Sequence, residues 1–488
     1  MRRATTWLAI LAAFVLIAAA CANEPAETTT TPAETTITAA QTTTTAGETT
    51  TTEDMMEIAT DVGVTEEPCP DGNPDRGCIY LGVLTDESGP FKGAAPALYG
   101  GQQLFWAAVN AEGGIGGAYD VALPADLKKD TSYTEEGMVT QYSQIADEVA
   151  AIAQSLGTPS TLAVLDDYER DSIVAAPMSW WSGYAFEEAD GPAAFTGDQG
   201  RIIEFGTNYC FEAMNAVDWA TVAIPAIGRE FATAGVMFFP TDYGLDYAAG
   251  VGIGAAANGV EILWSEPVIP VALSGAESQP EAIARIQAEP VDIVFLAIAP
   301  TELAQVVGGA AQQLGASVPL FIGGAPSWNV ALLDSPAAQV FQSGIFFQSS
   351  FLAGWDYESP GHAKMRGFVE GAGLAANDFF GAGWISQYGL KTVLEDAYAA
   401  GDLTRAGIEA AAQALGDVDY EGMIPVRTFQ GDPNDIFPRM SVISKYSADA
   451  TTGMETIADA STDPSGYFVG PTATAFDYTE PCSAYELG

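Results

Sequence analysis

The chain has 488 residues, of which 48% are hydrophobic, so it is long enough to bury the cores of two or three domains. Asp and Glu number 64 against 17 Lys and Arg, which gives a formal net charge of −47. Because nucleic-acid binding requires clustered cationic side chains, this charge excludes a nucleic-acid partner and is typical of a solvated acidic surface.

The N-terminus has the pattern of an export signal. Arg2 and Arg3 precede an uninterrupted apolar stretch over residues 7–20, which is followed by Cys21. This stretch is too short to span about 30 Å of hydrocarbon, so we do not expect a mature transmembrane helix. The sequence AAAC that ends at Cys21 resembles the cleavage site of a bacterial lipoprotein. The resemblance implies a signal peptide over 1–20, lipidation of Cys21, and an exported protein held at the extracellular or periplasmic face of the membrane.

A threonine-rich segment follows the signal. Residues 28–52 contain fifteen threonines and one large apolar side chain, Ile37. Such a composition buries too little apolar surface to offset the entropy lost on ordering. We therefore predict a disordered tether over residues 21–66.

Four cysteines remain when Cys21 is set aside, namely Cys69, Cys78, Cys210 and Cys482. An even number in an exported protein predicts two disulfides. Three pairings are possible, and we favour Cys69 with Cys78, which leaves Cys210 with Cys482. A metal site is the alternative, but C-x8-C without neighbouring histidines lacks the usual spacing of zinc ligands. We expect neither a metal nor a cofactor.

From Cys78 onward, short apolar runs alternate with longer helical stretches, which predicts an α/β fold. We predict a strand at 78–84, helices at 96–111 and 135–156, a strand at 161–165 and a helix at 171–189. The clearest pattern covers 234–323. There, strands at 234–239, 260–264, 291–299 and 318–324 alternate with helices at 245–257, 280–288 and 301–314, as in a parallel sheet covered on both faces.

Polar loops follow several of these runs: 85–91, 166–171, 195–199, 240–244 and 323–328. Ligands of open parallel sheets bind at the carboxyl ends of the strands, where such loops meet. We therefore expect a ligand cleft lined by these loops.

Four segments, taken in this order, resemble one known family. They are IYLGVLTDESGPF (79–91), AAVNAEGGIGG (107–117), GVMFFPTDYG (235–244) and the run from VDIVFLAIAP to VPLFIGG (291–324). They are similar to the branched-chain amino-acid-binding (Leu/Ile/Val-binding-like) family of ABC transporter substrate-binding proteins. The resemblance extends over about residues 78–445.

This resemblance implies the type I periplasmic-binding fold, in which two α/β lobes are joined by about three crossover strands. We place the first lobe at 67–208 and 345–425 and the second at 209–344 and 426–488. It also implies a monomer that captures an amino acid or a similar small polar metabolite and delivers it to ABC permease subunits, without catalysis.

The resemblance brings Ser88 and Phe91 of the first loop and Tyr243 of the second lobe into the ligand site. The other candidate ligand-binding residues come from the remaining loops and are Asp166, Tyr168, Thr196, Asp198, Tyr209 and Trp328. Tyr209 and Trp328 suit an apolar wall or a cation-π contact. We expect Trp180 and Trp181 to lie in the core.

The segment LDDYERDS (165–172) departs from the family pattern, which has a Gly- and Ser-rich turn there. Asp166 and Asp167 would repel a ligand carboxylate, whereas Arg170 would bind one. Alternatively, Asp167 or Asp171 caps a helix that begins near Ser172.

Two other functions remain open. The same lobes would serve a ligand-sensing receptor that signals to a membrane partner, and cleft carboxylates would serve a hydrolase. The single histidine, His362, has no nucleophile motif around it, and we expect it at the surface.

Overall fold

The structure, a computed structural model, describes residues 58–186, 201–274, 279–458 and 467–484. Its strands are β1 (Ala59–Thr60), β2 (Val64–Thr65), β3 (Gly77–Thr85), β4 (Tyr119–Ala122), β5 (Lys128–Asp130), β6 (Ala151–Leu156), β7 (Ala175–Met178), β8 (Thr233–Phe238), β9 (Glu261–Pro267), β10 (Ile293–Ala297), β11 (Leu320–Gly323), β12 (Phe346–Ser350), β13 (Asp402–Leu403), β14 (Asp417–Val418), β15 (Arg427–Thr428), β16 (Val442–Tyr446) and β17 (Met454–Ala458).

Its helices are α1 (Ala95–Glu112), α2 (Glu135–Ile145), α3 (Thr158–Leu162), α4 (Leu165–Asp171), α5 (Tyr209–Ala226), α6 (Asp242–Asn258), α7 (Val271–Ser274), α8 (Pro280–Ala288), α9 (Pro300–Leu314), α10 (Ala338–Gln342), α11 (Pro360–Gly371), α12 (Asp378–Ile385), α13 (Gln387–Ala399), α14 (Arg405–Gln413), α15 (Pro433–Ile436) and α16 (Pro471–Ala475).

Two separate sheets organise these elements. The first has the order β2-β3-β6-β7, and β4 and β5 also pair with β3. The second has the order β17-β16-β12-β11-β10-β8-β9, and it is parallel from β12 to β9. Strands β3, β6 and β10 are buried along nearly their whole length, as expected for parallel strands covered on both faces. The α/β prediction is confirmed.

The predicted alternation of strands and helices over residues 234–323 is confirmed, both in the type of each element and in their order. Helix α8 has the predicted bounds, and α9 begins one residue before its predicted start. The signal is strong here because each apolar strand is flanked by helices that begin at or next to a proline or an aspartate.

The predictions for 135–189 were partly wrong. Helix α2 ends at Ile145, and residues 151–156 form β6 in the middle of the first sheet. Residues 161–165 contain the end of α3, a turn and the start of α4, and the predicted helix at 171–189 contains β7 instead. The sequence AIAQSL of β6 is poor in β-branched residues, so its pairing with β3 decides its conformation. Pro177 lies in β7, at the end of the sheet path, where a strand tolerates a missing N–H donor.

The folded part begins earlier than predicted. Within the segment predicted as tether, β1 pairs with β13 and β2 pairs with β3. Val64 is buried against the main core, and this contact accounts for the order of the short β2 segment. Residues 1–57, which include the predicted signal and Cys21, lie outside the described residues.

The chain passes between the two sheets three times. The passages lie between β7 and α5, between β12 and α11, and between β15 and β16. Helices α11–α14 pack on the side of the first sheet, against α1 and β7. Strand β12, at the start of the segment that we placed in the first lobe, belongs to the second sheet. Buried Arg427 of β15 contacts the first passage, because its Nη1 donates to the carbonyl of Glu204 and its Nη2 lies 3.9 Å from Glu204 Oε2.

The C-terminal segment is fixed against the first passage and α5. Disulfides join Cys69 to Cys78 and Cys210 to Cys482, as the favoured pairing predicted. The N–H of Cys482 donates to Ser182 Oγ at 2.8 Å, and the Tyr478 hydroxyl donates to the carbonyl of Ser182. Asp246 of α6 accepts from the N–H of Ser182 at 3.1 Å and from its hydroxyl. Ser182 therefore contacts both the C-terminal segment and helix α6.

Changing Cys482 to Ser should lower the melting temperature, because the bond closes a loop with a sequence separation of 272 residues. We expect a loss of about 2–5 kcal/mol in the free energy of unfolding. Scanning calorimetry measures it. Cys69→Ser is the matched control and should cost less, since its bond closes a separation of nine residues. Equal melting curves for wild type and Cys482→Ser would show that the bond adds no stability.

The free energy of unfolding should decrease as pH rises, because of the buried carboxyl of Asp246. Burial raises the pKa of the Asp246 carboxyl from 3.8 to about 7, so the folded state holds a proton that the unfolded state has released. The free energy of unfolding should therefore decrease as pH rises from about 4 to about 7, by roughly 4 kcal/mol at most at 1.36 kcal/mol per pKa unit. Chemical denaturation across this range should show that Asp246→Asn has a weaker decrease. Parallel curves for the two proteins would contradict the assignment.

Candidate ligand-binding site

The loop after β3 is shaped by one buried carboxylate. Asp86 is fully buried; its Oδ1 accepts from the N–H of Gly89 and its Oδ2 from the N–H of Phe91 at 2.8 Å. A Cβ at Gly89 would lie 2.5 Å from Asp86 Oδ1, so the turn requires glycine. Burial raises the pKa of Asp86, although these N–H groups oppose the rise. The result is a fixed loop that presents Phe91.

Phe91 meets aromatic rings from both sheets. Its ring centroid lies 5.0 Å from that of Tyr133, in the loop between β5 and α2. On the other side it lies 6.3 Å from Phe239 and 6.5 Å from Tyr243, which follow β8. A hydrogen bond of 3.2 Å from Asn329 Nδ2 to the carbonyl of Gly93 also joins the two sides. The carboxyl ends of the two sheets therefore face each other and are in contact here.

A cavity of about 490 Å³, including its open mouth, lies between these ends. On the side of the first sheet and its helices it is lined by Phe91, Ala94, Leu98, Tyr133, Leu156, Gly157, Met178, Trp180, Phe379 and Ala382. On the side of the second sheet it is lined by Tyr209, Ala325, Pro326 and Leu352. None of the lining residues in the described part of the chain is charged.

Most of these residues were not predicted. Gly157 follows β6 with φ +93°, and a Cβ there would lie 2.4 Å from the Tyr133 ring, so the turn that lines the cavity requires glycine. Trp180 and Trp181 are buried in the core, as predicted, but they follow β7 and do not lie in a helix. Trp180 also lines the cavity, 6.0 Å from the Tyr209 ring. The sequence signal that we missed is the position of Gly157 and Trp180 directly after short apolar runs.

Three predicted residues lie at or beside the cavity. Phe91 and Tyr209 line it, and the Tyr243 ring packs 4.5 Å from the Tyr209 ring, behind the wall. Burial raises the pKa of the Tyr133, Tyr209 and Tyr243 phenols, so they stay protonated and can donate hydrogen bonds. The apolar wall thus includes hydroxyl groups from both sides of the cleft.

Three others lie outside it. Ser88 is exposed and its Oγ lies 2.7 Å from Ser132 Oγ, at the lip of the loop. Asp166 is exposed in the first turn of α4. Tyr168 is fully buried in a separate cluster, where its hydroxyl donates to Ser155 Oγ at 3.1 Å.

The alternatives for this segment are also resolved. Arg170 is largely exposed and pairs with Asp167 and Asp171, so it does not reach the cavity. Helix α4 ends at Asp171, and Ser172 follows it with φ +51°; neither aspartate therefore caps a helix that begins near Ser172.

Trp328 does not line the cavity. Trp328 is buried in the core of the second sheet, with ring centroids 5.6 Å from Phe341 and 5.9 Å from Phe346. Thr196 and Asp198 lie outside the described residues. His362 was predicted at the surface, which was wrong: it is buried in α11, its Nδ1 lies 2.9 Å from Ser359 Oγ, and burial lowers its pKa to about 4.

Other kinds of site were sought over the same described ranges. No cluster of three or more His, Cys, Asp or Glu side chains there is arranged to hold a metal ion. Within those ranges, no helix has both the length and the apolar character needed to cross a membrane.

The cleft between two α/β sheets joined by three passages defines a binding protein of the periplasmic class. Residues 78–444 match the family described as periplasmic binding protein, and the chain belongs to this family. The prediction of the family and of its type I fold is confirmed.

Known structures are similar over most of the chain. A fatty acid ABC transporter substrate-binding protein from Thermomonospora curvata has 22% identity and a TM-score of 0.72, and the match covers 88% of this chain and 98% of that one. A branched-chain amino acid ABC transporter protein from Thermus thermophilus with bound valine has 14% identity and a TM-score of 0.62, over 82% and 98%. LivJ from Streptococcus pneumoniae with isoleucine has 14% identity and a TM-score of 0.59, over 78% and 99%. No curated protein sequence is significantly similar to this chain.

Changing Tyr243 to Ala should weaken ligand binding by about 1–3 kcal/mol, because the Tyr209 ring loses its support and the site loses a hydroxyl. Isothermal titration calorimetry measures the change. Tyr398→Ala, which truncates a half-buried ring beside Gly116, is the matched control and should leave affinity unchanged. Unchanged affinity in Tyr243→Ala would remove this residue from the site.

Proposed function

We propose that this protein is an exported, lipid-anchored substrate-binding protein of an ABC importer, and that it binds a small acid with an apolar body between its two sheets. It binds the ligand without changing it and presents it to permease subunits in the membrane. It acts as a monomer, with Cys21 as the lipid-bearing residue and the threonine-rich segment as the tether.

The observation that carries this proposal is the composition of the cavity wall. Aromatic and aliphatic side chains from both sheets line the cavity, with Phe91 and Trp180 on one side and Tyr209 on the other. Each apolar group that a ligand buries there is stabilised by about 25 cal/mol per Å² removed from water. A ligand in contact with both sides favours the closed arrangement, as required of a binding protein that signals its loaded state by its shape.

The same wall argues against an ordinary amino acid, although the ligand expected from the sequence was an amino acid or a similar small polar metabolite. An α-amino acid carries an ammonium and a carboxylate, and burying both requires charged or multiple polar partners. The described lining residues offer phenols and an indole N–H instead, which suit one oxygen-bearing head group on an apolar body. The similarity to a structure named as a fatty acid substrate-binding protein supports the same class of ligand.

The purified protein should bind medium-chain fatty acids more tightly than valine, isoleucine or polar amino acids, as measured by calorimetry. Phe91→Ala should weaken that binding about 10- to 100-fold, since it removes an aromatic contact from the centre of the site. Phe231→Ala is the matched control. It truncates a half-buried phenylalanine whose ring lies 6.2 Å from Phe295 in the second sheet, and should leave affinity unchanged.

Binding of amino acids in preference to all apolar acids would contradict the proposed ligand class. Equal affinities for wild type and Phe91→Ala would contradict the proposed position of the site. Silence toward every small molecule in the panel would count against a substrate-binding function.

A further inference from the structure

A group of buried polar atoms lies directly behind the cavity wall. Glu212, Tyr243 and Tyr247 are each at most 1% exposed. Within the part of the chain that the structure describes, Glu212 Oε2 and the Tyr247 phenol oxygen have no hydrogen-bond partner. Ser327 lies beside Tyr243, but its hydroxyl donates to the carbonyl of Ile298 at 2.9 Å. Burying a polar group without a partner is unfavourable, so these atoms together indicate a use that the closed fold alone does not explain.

The group is connected to the cavity at two points. Glu212 lies one turn after Tyr209 on the same face of α5, and Tyr209 lines the cavity. The Oε1 atom of Glu212 accepts the N–H of Ala325, another lining residue. On α6, the Tyr243 ring packs 4.5 Å from the Tyr209 ring.

Hydroxyl groups continue from this group to the opposite sheet. Tyr133 and Tyr209 both line the cavity, and the Tyr243 ring packs 4.5 Å from the Tyr209 ring. Tyr133 belongs to the first sheet's side of the cavity, whereas Tyr209 and Tyr243 belong to the second sheet's side. A ligand head group bound by these hydroxyls would therefore contact both sides at once.

We propose that Tyr133 and Tyr209, backed by Tyr243 and Glu212, form the polar end of the ligand site and bind the carboxylate of an otherwise apolar acid. This inference rests on the proposed function and specifies its ligand chemistry. Phenol O–H groups donate to the carboxylate oxygens, and the proton on Glu212 prevents a second negative charge beside them.

The surroundings of Glu212 decide its charge. On α6, the phenols of Tyr243 and Tyr247 face Glu212. In the turn after β11, the N–H of Ala325 donates to its Oε1. On β12, Ser349 Oγ donates to its backbone carbonyl at 2.9 Å. Among the described residues, none with a cationic side chain acts on it, and burial raises the pKa of its carboxyl well above the usual value. The site without ligand is therefore neutral at this end.

The sign of the pH dependence separates this proposal from its opposite. An anionic ligand requires a protonated Glu212, so its affinity should fall as pH rises through the pKa of Glu212, by up to tenfold per pH unit. An ammonium-bearing ligand would require an ionised Glu212, so its affinity would rise over the same interval. A neutral head group should show little dependence.

The experiment uses three ligands of one chain length, octanoate, 1-octanol and octylamine, titrated calorimetrically into the full chain between about pH 5 and pH 9. We expect the affinity for octanoate to fall with pH and the affinity for octanol to stay constant. Glu212→Gln keeps the shape and stays neutral, so it should bind octanoate with little pH dependence and more tightly than wild type at high pH. Glu281→Gln, at an exposed position of α8, is the matched control and should keep the wild-type slope.

Several results would overturn the inference. A flat profile for octanoate in wild type, or an unchanged slope in Glu212→Gln, would exclude coupling to Glu212 and leave the proposed function intact. Octylamine binding that strengthens with pH would assign this end to a cation. If none of the three ligands binds, both the inference and the proposed ligand class fail. If Glu212→Gln does not fold, the comparison of octanoate with octanol in wild type still decides the question.

Discussion

The contact of Phe91 with the aromatic rings of the second sheet is the interaction on which the site depends. It requires Asp86, because the buried carboxylate accepts the two N–H groups that fix the loop and aim the ring across the cleft. It also requires Tyr133 on its own side and Tyr243 opposite, whose rings it touches. An apolar cavity remains beside this contact, and a ligand that fills it extends the same contact between the sheets.

The chemistry of the interior contrasts with that of the surface. The chain carries a net charge of −47, yet the cavity wall and the groups behind it are neutral. Burial raises the pKa of the Asp246 and Glu212 carboxyls, and no cationic side chain among the described residues acts on either one. Protonated carboxyls, phenols and indole N–H groups give the interior directional hydrogen bonding without the cost of a buried ion. Such an interior suits a ligand that is mostly apolar and polar at one end.

The sequence predicted the second sheet well and the site only in part. Residues 234–323 alternate long apolar strands with helices that begin at marked residues, so local patterns suffice there. Strand β6 was predicted as helix because its Ala-rich sequence has little strand preference, and only its pairing with β3 fixes it. Phe91, Tyr209 and Tyr243 could be found because they occupy loops or motifs of the family. Trp180 and Gly157 could not be found from the sequence, since their place in the cavity wall depends on elements far away in the chain. Tyr168 was wrongly predicted as a ligand-binding loop residue because its local sequence does not distinguish a loop from a helix.

A crystal structure of the full chain, purified without denaturation and soaked with octanoate if no ligand is retained, would test the central claim most directly. We expect electron density for an apolar chain between Phe91, Trp180 and Tyr209, with its carboxylate at the tyrosine hydroxyls. A ligand bound elsewhere, or an octanoate-soaked crystal whose aromatic cavity is empty, would contradict it.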